Sequence, residues 1–144
     1  MTRFVMTLEE AVDLVLFAFE NGQSGDIFVQ KAPACTIGVL TEAVKRLMKA
    51  DNEVKVIGIR HGEKMYETLL TDEECANAID LGGFYRVPAD KRDLNYDKYF
   101  NEGIEESALT QFNSNNTHLM DVEAVMNKLM EVPLVKEEIL NSTK

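Results

Sequence analysis

Residues 56–64 read Val-Ile-Gly-Ile-Arg-His-Gly-Glu-Lys and bring an arginine, a glycine and an acid close together along the chain. The apolar run ending at Ile59 predicts a β-strand, Gly62 predicts a turn, and Glu63 is typical of the first turn of a helix. Backbone N–H groups at such a junction, the helix dipole and the Arg60 guanidinium suit a phosphate or diphosphate. The alternative interpretation is that Gly62 only makes the turn and Glu63 only complements the helix dipole.

The composition argues against several other kinds of site. Cys35 and Cys75 are isolated, and the two histidines have no ligand spacing relative to them, so we expect two buried free thiols and no metal site. The formal net charge of −10 argues against binding nucleic acid or an anionic membrane, which requires a basic face. Residues 65–144 carry 16 acidic and 7 basic residues, so an anionic ligand is easier to hold in residues 1–64.

Helical and strand patterns alternate along the chain. They predict four helices, over Leu8–Glu20, from Thr36 to Lys49, over Glu63–Leu70 and from Asp121 to Glu131. They predict three strands, over Asp26–Gln30, Val54–Ile59 and Gly83–Pro88. A Thr7/Glu10 capping box opens the first helix, a second capped turn starts at Thr71, and Pro133 stops the last helix before a polar tail. This order is typical of an α/β fold. Two convincing strands are few for an independent sheet, because strand edges need partners, and this indicates a missing neighbour.

Five ordered motifs resemble a known family. They are Met1–Phe4, Leu8–Val12, Arg60–Glu67, Arg92–Phe100 and Asn113–Thr117, the last of which is equally a plain capping loop before the final helix. Together they resemble the C-terminal half of an extended short-chain dehydrogenase/reductase, more narrowly the UDP-N-acetylglucosamine 4,6-dehydratase/5-epimerase family of capsule and O-antigen biosynthesis. The resemblance implies an α/β fold in which a small sheet with flanking helices forms the C-terminal substrate-binding lobe.

The resemblance also implies which residues bind the nucleotide sugar. Arg3 and Arg60 match two arginines that hold its diphosphate, and Glu63 matches the acid that hydrogen-bonds nucleotide hydroxyls. Lys64 belongs to the same motif, with a solvated helix residue as the alternative. Arg92 lies in a segment that would form an arm at the mouth of the site or at a subunit interface, with a surface loop as the alternative.

The catalytic parts of that family are missing from these 144 residues. The eight glycines provide no G-x-x-G-x-x-G or G-x-G-x-x-G spacing, and none of the four tyrosines has a lysine four residues later. The family's hydride chemistry needs NAD(P), which the Rossmann half would bind. The resemblance therefore implies a chain without catalytic or cofactor-binding residues, inactive alone, that binds a UDP-sugar. An N-terminal Rossmann half would complete it, and we expect a homo-oligomer.

We predict three regions in the chain. A nucleotide-sugar-binding α/β lobe covers residues 1–88, an irregular arm covers 89–112, and a C-terminal helix and tail cover 113–144. Two alternative functions stay open, namely a fragment of a UDP-sugar 4-epimerase and a non-enzymatic module that binds a partner chain or a UDP-sugar. No apolar run approaches the roughly 20 residues that cross a bilayer, and no signal peptide is visible, so we expect a cytoplasmic protein.

Overall fold

The computed structural model describes residues 1–89 and 111–142, and Arg92 with most of the predicted arm lies outside them. The described elements, in chain order, are β1 Thr2–Phe4, α1 Leu8–Asn21, β2 Ile27–Gln30, β3 Ala34–Thr36, α2 Ile37–Leu47, β4 Thr68–Leu70, α3 Asp72–Asn77, β5 Ile79–Asp80, β6 Phe84–Val87, β7 Phe112–Asn113, α4 Val122–Glu131 and α5 Pro133–Ser142. None of the described helices is both long and apolar enough to cross a membrane.

The chain divides into two compact units. The first contains Met1–Glu10, Ala32–Glu67 and Asn113–Lys144, and the second contains Ala11–Lys31 and Thr68–Phe112. Helix α1 therefore starts in the first unit and continues into the second. Small antiparallel sheets with flanking helices make the fold α/β, as the sequence predicts.

The first unit is built on β1, β3, α2 and α4. Strands β1 and β3 pair antiparallel, with Arg3 opposite Cys35. Both helices start at a capped residue, because Thr36 Oγ1 accepts the Val39 N–H at 3.1 Å and an Asp121 carboxylate oxygen accepts the Ala124 N–H at 2.8 Å. The core of this unit consists of side chains that are at most 8% exposed: Cys35, Ala43, Met120 and Val125.

The second unit is built around the antiparallel sheet β2-β6-β5. Phe17 of α1 stacks on Phe84 of β6 with ring centroids 4.2 Å apart and meets Phe28 of β2 edge-on at 5.7 Å. These ring contacts hold α1 on the sheet. Five further apolar side chains of α1 are 49–82% exposed, and they are Leu8, Val12, Val15, Leu16 and Phe19.

Most predicted helices and two predicted strands are confirmed. Helices α1, α2 and α4 match their predicted ranges to within about a turn, and strands β2 and β6 lie inside theirs. Both hydrogen bonds of a capping box are present between Thr7 and Glu10, and both are present again between Thr71 and Glu74. Cys35 and Cys75 are buried free thiols, and burial raises the pKa of each.

Three sequence predictions are wrong. Residues 54–59 form no strand, because no described strand edge pairs with them, and residues 63–67 turn without forming a helix before β4 begins at Thr68. The chain after Pro133 is helix α5, where we predicted a polar tail. Proline is well tolerated at the first helical position, since its missing N–H has no intrahelical partner there, so Pro133 begins one helix directly after another ends.

Asp26 makes the stability of the second unit dependent on pH. Its carboxylate accepts the Gln23 N–H at 2.8 Å and pairs with Arg86 at 2.8 Å, and the Gln23 N–H followed by Arg86 holds its pKa below the ordinary value of 3.8. The lowered pKa means that this stability is present above pH 3.8 and is lost as the pH falls through the folded pKa. We expect urea unfolding below about pH 4 to show less pH dependence in Asp26→Asn than in the native chain. Equal pH dependence in the two proteins would contradict this.

Candidate functional site

Arg3 is held along the segment that precedes β4. Its Nη1 donates to the Thr2 carbonyl at 2.7 Å, its Nη2 donates to the Lys64 carbonyl at 3.0 Å, and its Nε lies 3.5 Å from Glu67 Oε1. The side chain is 27% exposed. With respect to the described residues, each terminal nitrogen thus keeps a second N–H for a ligand. The fork is therefore fixed in place and still able to bind an anion.

Residues 60–63 form a tight turn. The Glu63 N–H donates to the Arg60 carbonyl at 3.1 Å, and the Arg60 N–H donates to Glu63 Oε2 at 3.0 Å. Gly62, the third residue of the turn, has φ +81°, as a type II turn requires. A Cβ at Gly62 would meet nothing within 4 Å, so the sign of φ alone favours glycine here.

The turn changes the predicted chemistry of this segment. Because no helix starts at Glu63, the helix dipole and the array of helical N–H groups are not available to an anion, and that part of the prediction is wrong. The Arg60 side chain is exposed, and its guanidinium makes no hydrogen bond or ion pair to a described residue. The exposed guanidinium of Arg60 is still available to an anion. The Glu63 carboxylate has one oxygen in a hydrogen bond and one that is available to a ligand.

The structure brings the predicted site residues together in two groups. Arg3 meets the backbone of Lys64 and the side chain of Glu67, and Arg60 meets Glu63. Within residues 1–89 and 111–142, no hydrogen bond or ion pair joins the two groups. The Lys64 ammonium has no partner among these residues either, so the contribution seen for Lys64 is its carbonyl.

Sequence reasoning missed the residue that fixes this arrangement, which is Ser114. Its buried hydroxyl accepts the Glu67 N–H at 3.0 Å and lies 2.7 Å from Thr2 Oγ1, while its backbone N–H donates to the Glu67 carbonyl at 2.9 Å. Thr2 Oγ1 gives its one hydrogen to Asn115 Oδ1 at 2.7 Å, so Ser114 is the donor between the two hydroxyls. Ser114 therefore ties β1, which carries Arg3, to Glu67 in the segment that the Arg3 side chain contacts.

We expect Ser114→Ala to destabilise the chain by about 1–3 kcal/mol, because the partly buried Glu67 N–H loses its acceptor and the Thr2 hydroxyl loses one of its two partners. Urea unfolding monitored by circular dichroism measures the change. Ser24→Ala is the matched control, since Ser24 is exposed in a turn and should change stability by less than about 0.5 kcal/mol. Equal effects of the two substitutions would show that the buried network contributes nothing.

Comparison with known proteins identifies the family. Residues 1–89 match the model of a family described as polysaccharide biosynthesis protein, and residues 90–136 match the model described as polysaccharide biosynthesis protein C-terminal. The chain belongs to the polysaccharide biosynthesis protein family. The family places its fold with the C-terminal part of an enzyme of the short-chain dehydrogenase/reductase type, as the motifs imply.

The relatives of this chain that are compared below are longer than the chain itself. It is 53% identical over 143 residues to a protein named UDP-glucose 4-epimerase of Rickettsia felis and 50% identical to one of the same name from Rickettsia akari. Each match covers 99% of this chain and 42% of the relative. The crystal structure of Pen from Bacillus thuringiensis superimposes with a TM-score of 0.72 at 25% identity, over 91% of this chain and 38% of that one. The chain thus spans about two fifths of the length of these relatives.

The described glycines do not fit a dinucleotide site. Such a site has the spacing G-x-x-G-x-x-G or G-x-G-x-x-G at the start of a helix, and none of the described glycines stands in that spacing. Nor do the described residues contain three grouped His, Cys, Asp or Glu side chains that could hold a metal ion.

Proposed function

We propose that this chain is the substrate-binding portion of a polysaccharide-biosynthesis enzyme that modifies UDP-sugars, and that it holds the diphosphate of the UDP-sugar. The observation that carries the proposal is the Arg3 fork, which is fixed by two carbonyls and Glu67 and keeps N–H groups for an anion. The names of the relatives support a UDP-sugar as the anion.

The other proposed contacts follow from charge and exposure. Arg60 is a second cation for the diphosphate, because its exposed guanidinium has no described partner. Glu63 would accept hydrogen bonds from nucleotide hydroxyls with its unengaged oxygen. Lys64 and Arg92 complete the proposed set, Lys64 through its unpaired ammonium and Arg92 from the motif alone, since it lies outside the described residues.

Two reactions are candidates for the longer protein. The names of the Rickettsia relatives favour a UDP-sugar 4-epimerase. The motifs Arg60–Glu67 and Arg92–Phe100 favour the UDP-N-acetylglucosamine 4,6-dehydratase/5-epimerase of capsule and O-antigen biosynthesis. The products separate them, because dehydration yields a 4-keto sugar lighter by one water and epimerisation leaves the mass unchanged.

The proposed setting is a cytoplasmic homo-oligomer in which an N-terminal Rossmann half binds NAD(P). The chain alone would bind the UDP-sugar without converting it. The overall charge of −10 opposes any anion, so binding has to depend on particular residues and not on the bulk field. A non-enzymatic module that binds a UDP-sugar would share this ligand and would lack turnover in the longer protein too.

Titration of the chain with UDP tests the proposal. We expect NMR shifts at residues 60–64 and at the Arg3 side chain, with a dissociation constant near ~1 mM, which is about 4 kcal/mol of binding free energy. Arg60→Ala should remove the shifts, because one charge-assisted contact contributes roughly 1.5–3 kcal/mol of that small total. Arg46→Ala is the matched control, since Arg46 is an exposed arginine paired with Glu42 on α2. Shifts that survive Arg60→Ala would move the site elsewhere.

A further inference from the structure

Residues 54–59, Val-Lys-Val-Ile-Gly-Ile, have the composition of a strand and do not form one. Val56 is 89% exposed, Ile57 70%, Ile59 60% and Val54 50%. No backbone N–H in this segment donates a hydrogen bond to a described residue. This segment therefore exposes four β-branched side chains, and its backbone N–H groups have no partner among the described residues. Exposure of the apolar side chains costs free energy, and a neighbouring strand would cover them and pair the backbone.

The side-chain pattern indicates the kind of sheet that fits this segment. In an extended chain Val54 and Val56 share one face, while Ile57 and Ile59 share the other with Lys55 at its start. Strands of an antiparallel sheet with one wet face alternate apolar and polar residues, whereas strands of a parallel sheet with helices on both faces are apolar on both sides. This segment therefore matches an inner or newly added strand of a parallel sheet covered on both faces.

The described residues contain no sheet of that kind. Their sheets have two or three strands, the pairings β1-β3, β2-β6 and β5-β6 are antiparallel, and the parallel bridge between Ala34 and Leu119 is isolated. The curated relatives extend well beyond the matched region, because the match covers only 42% of their length. A parallel sheet covered on both faces is the architecture of a dinucleotide-binding domain, which is the partner under the proposed function.

We infer that residues 54–59 are the strand through which this chain adds to an open edge of a parallel β-sheet in the remainder of the longer protein. The inference rests on the proposed function for the identity of that remainder. Backbone hydrogen bonds to the edge would supply the interaction, and the four apolar side chains would enter the layers of helices on either face.

This addition has a consequence for the candidate site. Arg60 and the turn that Glu63 closes follow directly after Ile59, so they would lie at the carboxyl end of the added strand. In open α/β sheets, ligands bind outside the carboxyl ends of the strands. Adding the strand would therefore deliver Arg60 to the position where a nucleotide ligand binds.

A hybrid protein tests the inference, in which this chain replaces the matching 143 residues of the Rickettsia felis relative. We expect amide hydrogen exchange of residues 54–59 to be nearly unprotected in the isolated chain, and slower by roughly 100-fold or more at alternate residues in the hybrid protein, because an added edge strand pairs every second N–H. Val56→Pro and Ile57→Pro remove neighbouring N–H groups, one of which faces the edge, so each should leave the Tm of the isolated chain within about 2 °C and one of them should lower that of the hybrid protein by roughly 5 °C or more. Glu53→Pro, exposed and just before the strand, is the matched control and should change neither.

The outcomes distinguish the inference from the proposed function. Fast exchange of residues 54–59 in a folded hybrid protein would overturn the inference, even if that protein binds UDP. Protection that already appears in the isolated chain and grows with its concentration would also overturn it, because a second copy would then be the partner. Protection in a hybrid protein that fails to bind UDP would support strand addition and refute the proposed function.

Discussion

Incubated with UDP-glucose or UDP-N-acetylglucosamine and NAD(P), the isolated chain should form no epimer and no 4-keto product. The chain has no glycine-rich dinucleotide fingerprint and no tyrosine followed four residues later by lysine, and no side chain can replace a nicotinamide in taking and returning a hydride. Mass spectrometry with chiral or chromatographic separation of the sugars measures both products.

The hybrid protein described above is the positive control for this prediction. It should convert a UDP-sugar at ordinary enzyme rates of roughly 1 s⁻¹ or more, which exceeds the isolated chain by at least about 10⁶-fold. Turnover by the isolated chain would refute the assignment of a binding role. A folded, NAD(P)-binding hybrid protein that bound UDP and turned over neither sugar would favour the non-enzymatic module.

The helices could be predicted from sequence because their signals are local. Thr36 and Asp121 each accept an N–H three residues later, and Thr71 and Glu74 exchange bonds within one turn, so each start is decided by neighbouring residues. The end of the fourth helix was also located, whereas α5 was missed. Pro133 satisfies the rule for a stop and the rule for a first helical residue equally well, and only tertiary context separates them.

Short strands were missed because their partners are distant in sequence. Strand β1 has three residues and is specified by pairing Thr2 with Thr36, a register that no local pattern records. For residues 54–59 a strand was predicted and does not form. Their β propensity is strong, but no described strand pairs with them. Propensity for a strand describes a fit to a sheet, so it predicts a strand only where a sheet is present.

The candidate site could be predicted in part. The motifs named Arg3, Arg60, Glu63 and Lys64, and the structure places Arg3 against the Lys64 carbonyl and Arg60 against Glu63. They gave no account of Ser114, whose contacts with Thr2 and Glu67 span 112 and 47 residues of sequence. One signal was available, namely the motif Asn113–Thr117, where a small hydroxyl side chain stands among asparagines that can close turns.

In the hybrid protein we expect Arg60→Ala to raise the KM for the UDP-sugar by roughly 10-fold to 100-fold and to change kcat by less than about 3-fold. The diphosphate keeps its charge while the sugar reacts, so a contact to it is equally strong in the ground state and the transition state. Losing one charge-assisted contact of about 1.5–3 kcal/mol gives a change of that size. Steady-state kinetics at saturating NAD(P) measures both constants.

Substitution of Arg60 separates a loss of binding from a loss of stability. Its guanidinium has no partner among the described residues, so Arg60→Ala should leave the Tm of the isolated chain unchanged, and a raised KM cannot be attributed to unfolding. Arg60→Lys separates charge from shape, because lysine keeps the charge and loses the bidentate fork, and it should recover only part of the affinity. Arg46→Ala controls for the loss of one positive charge on the same unit. A fall in kcat with unchanged KM would instead assign Arg60 to the reaction itself, because it would mean that its contact forms only in the transition state.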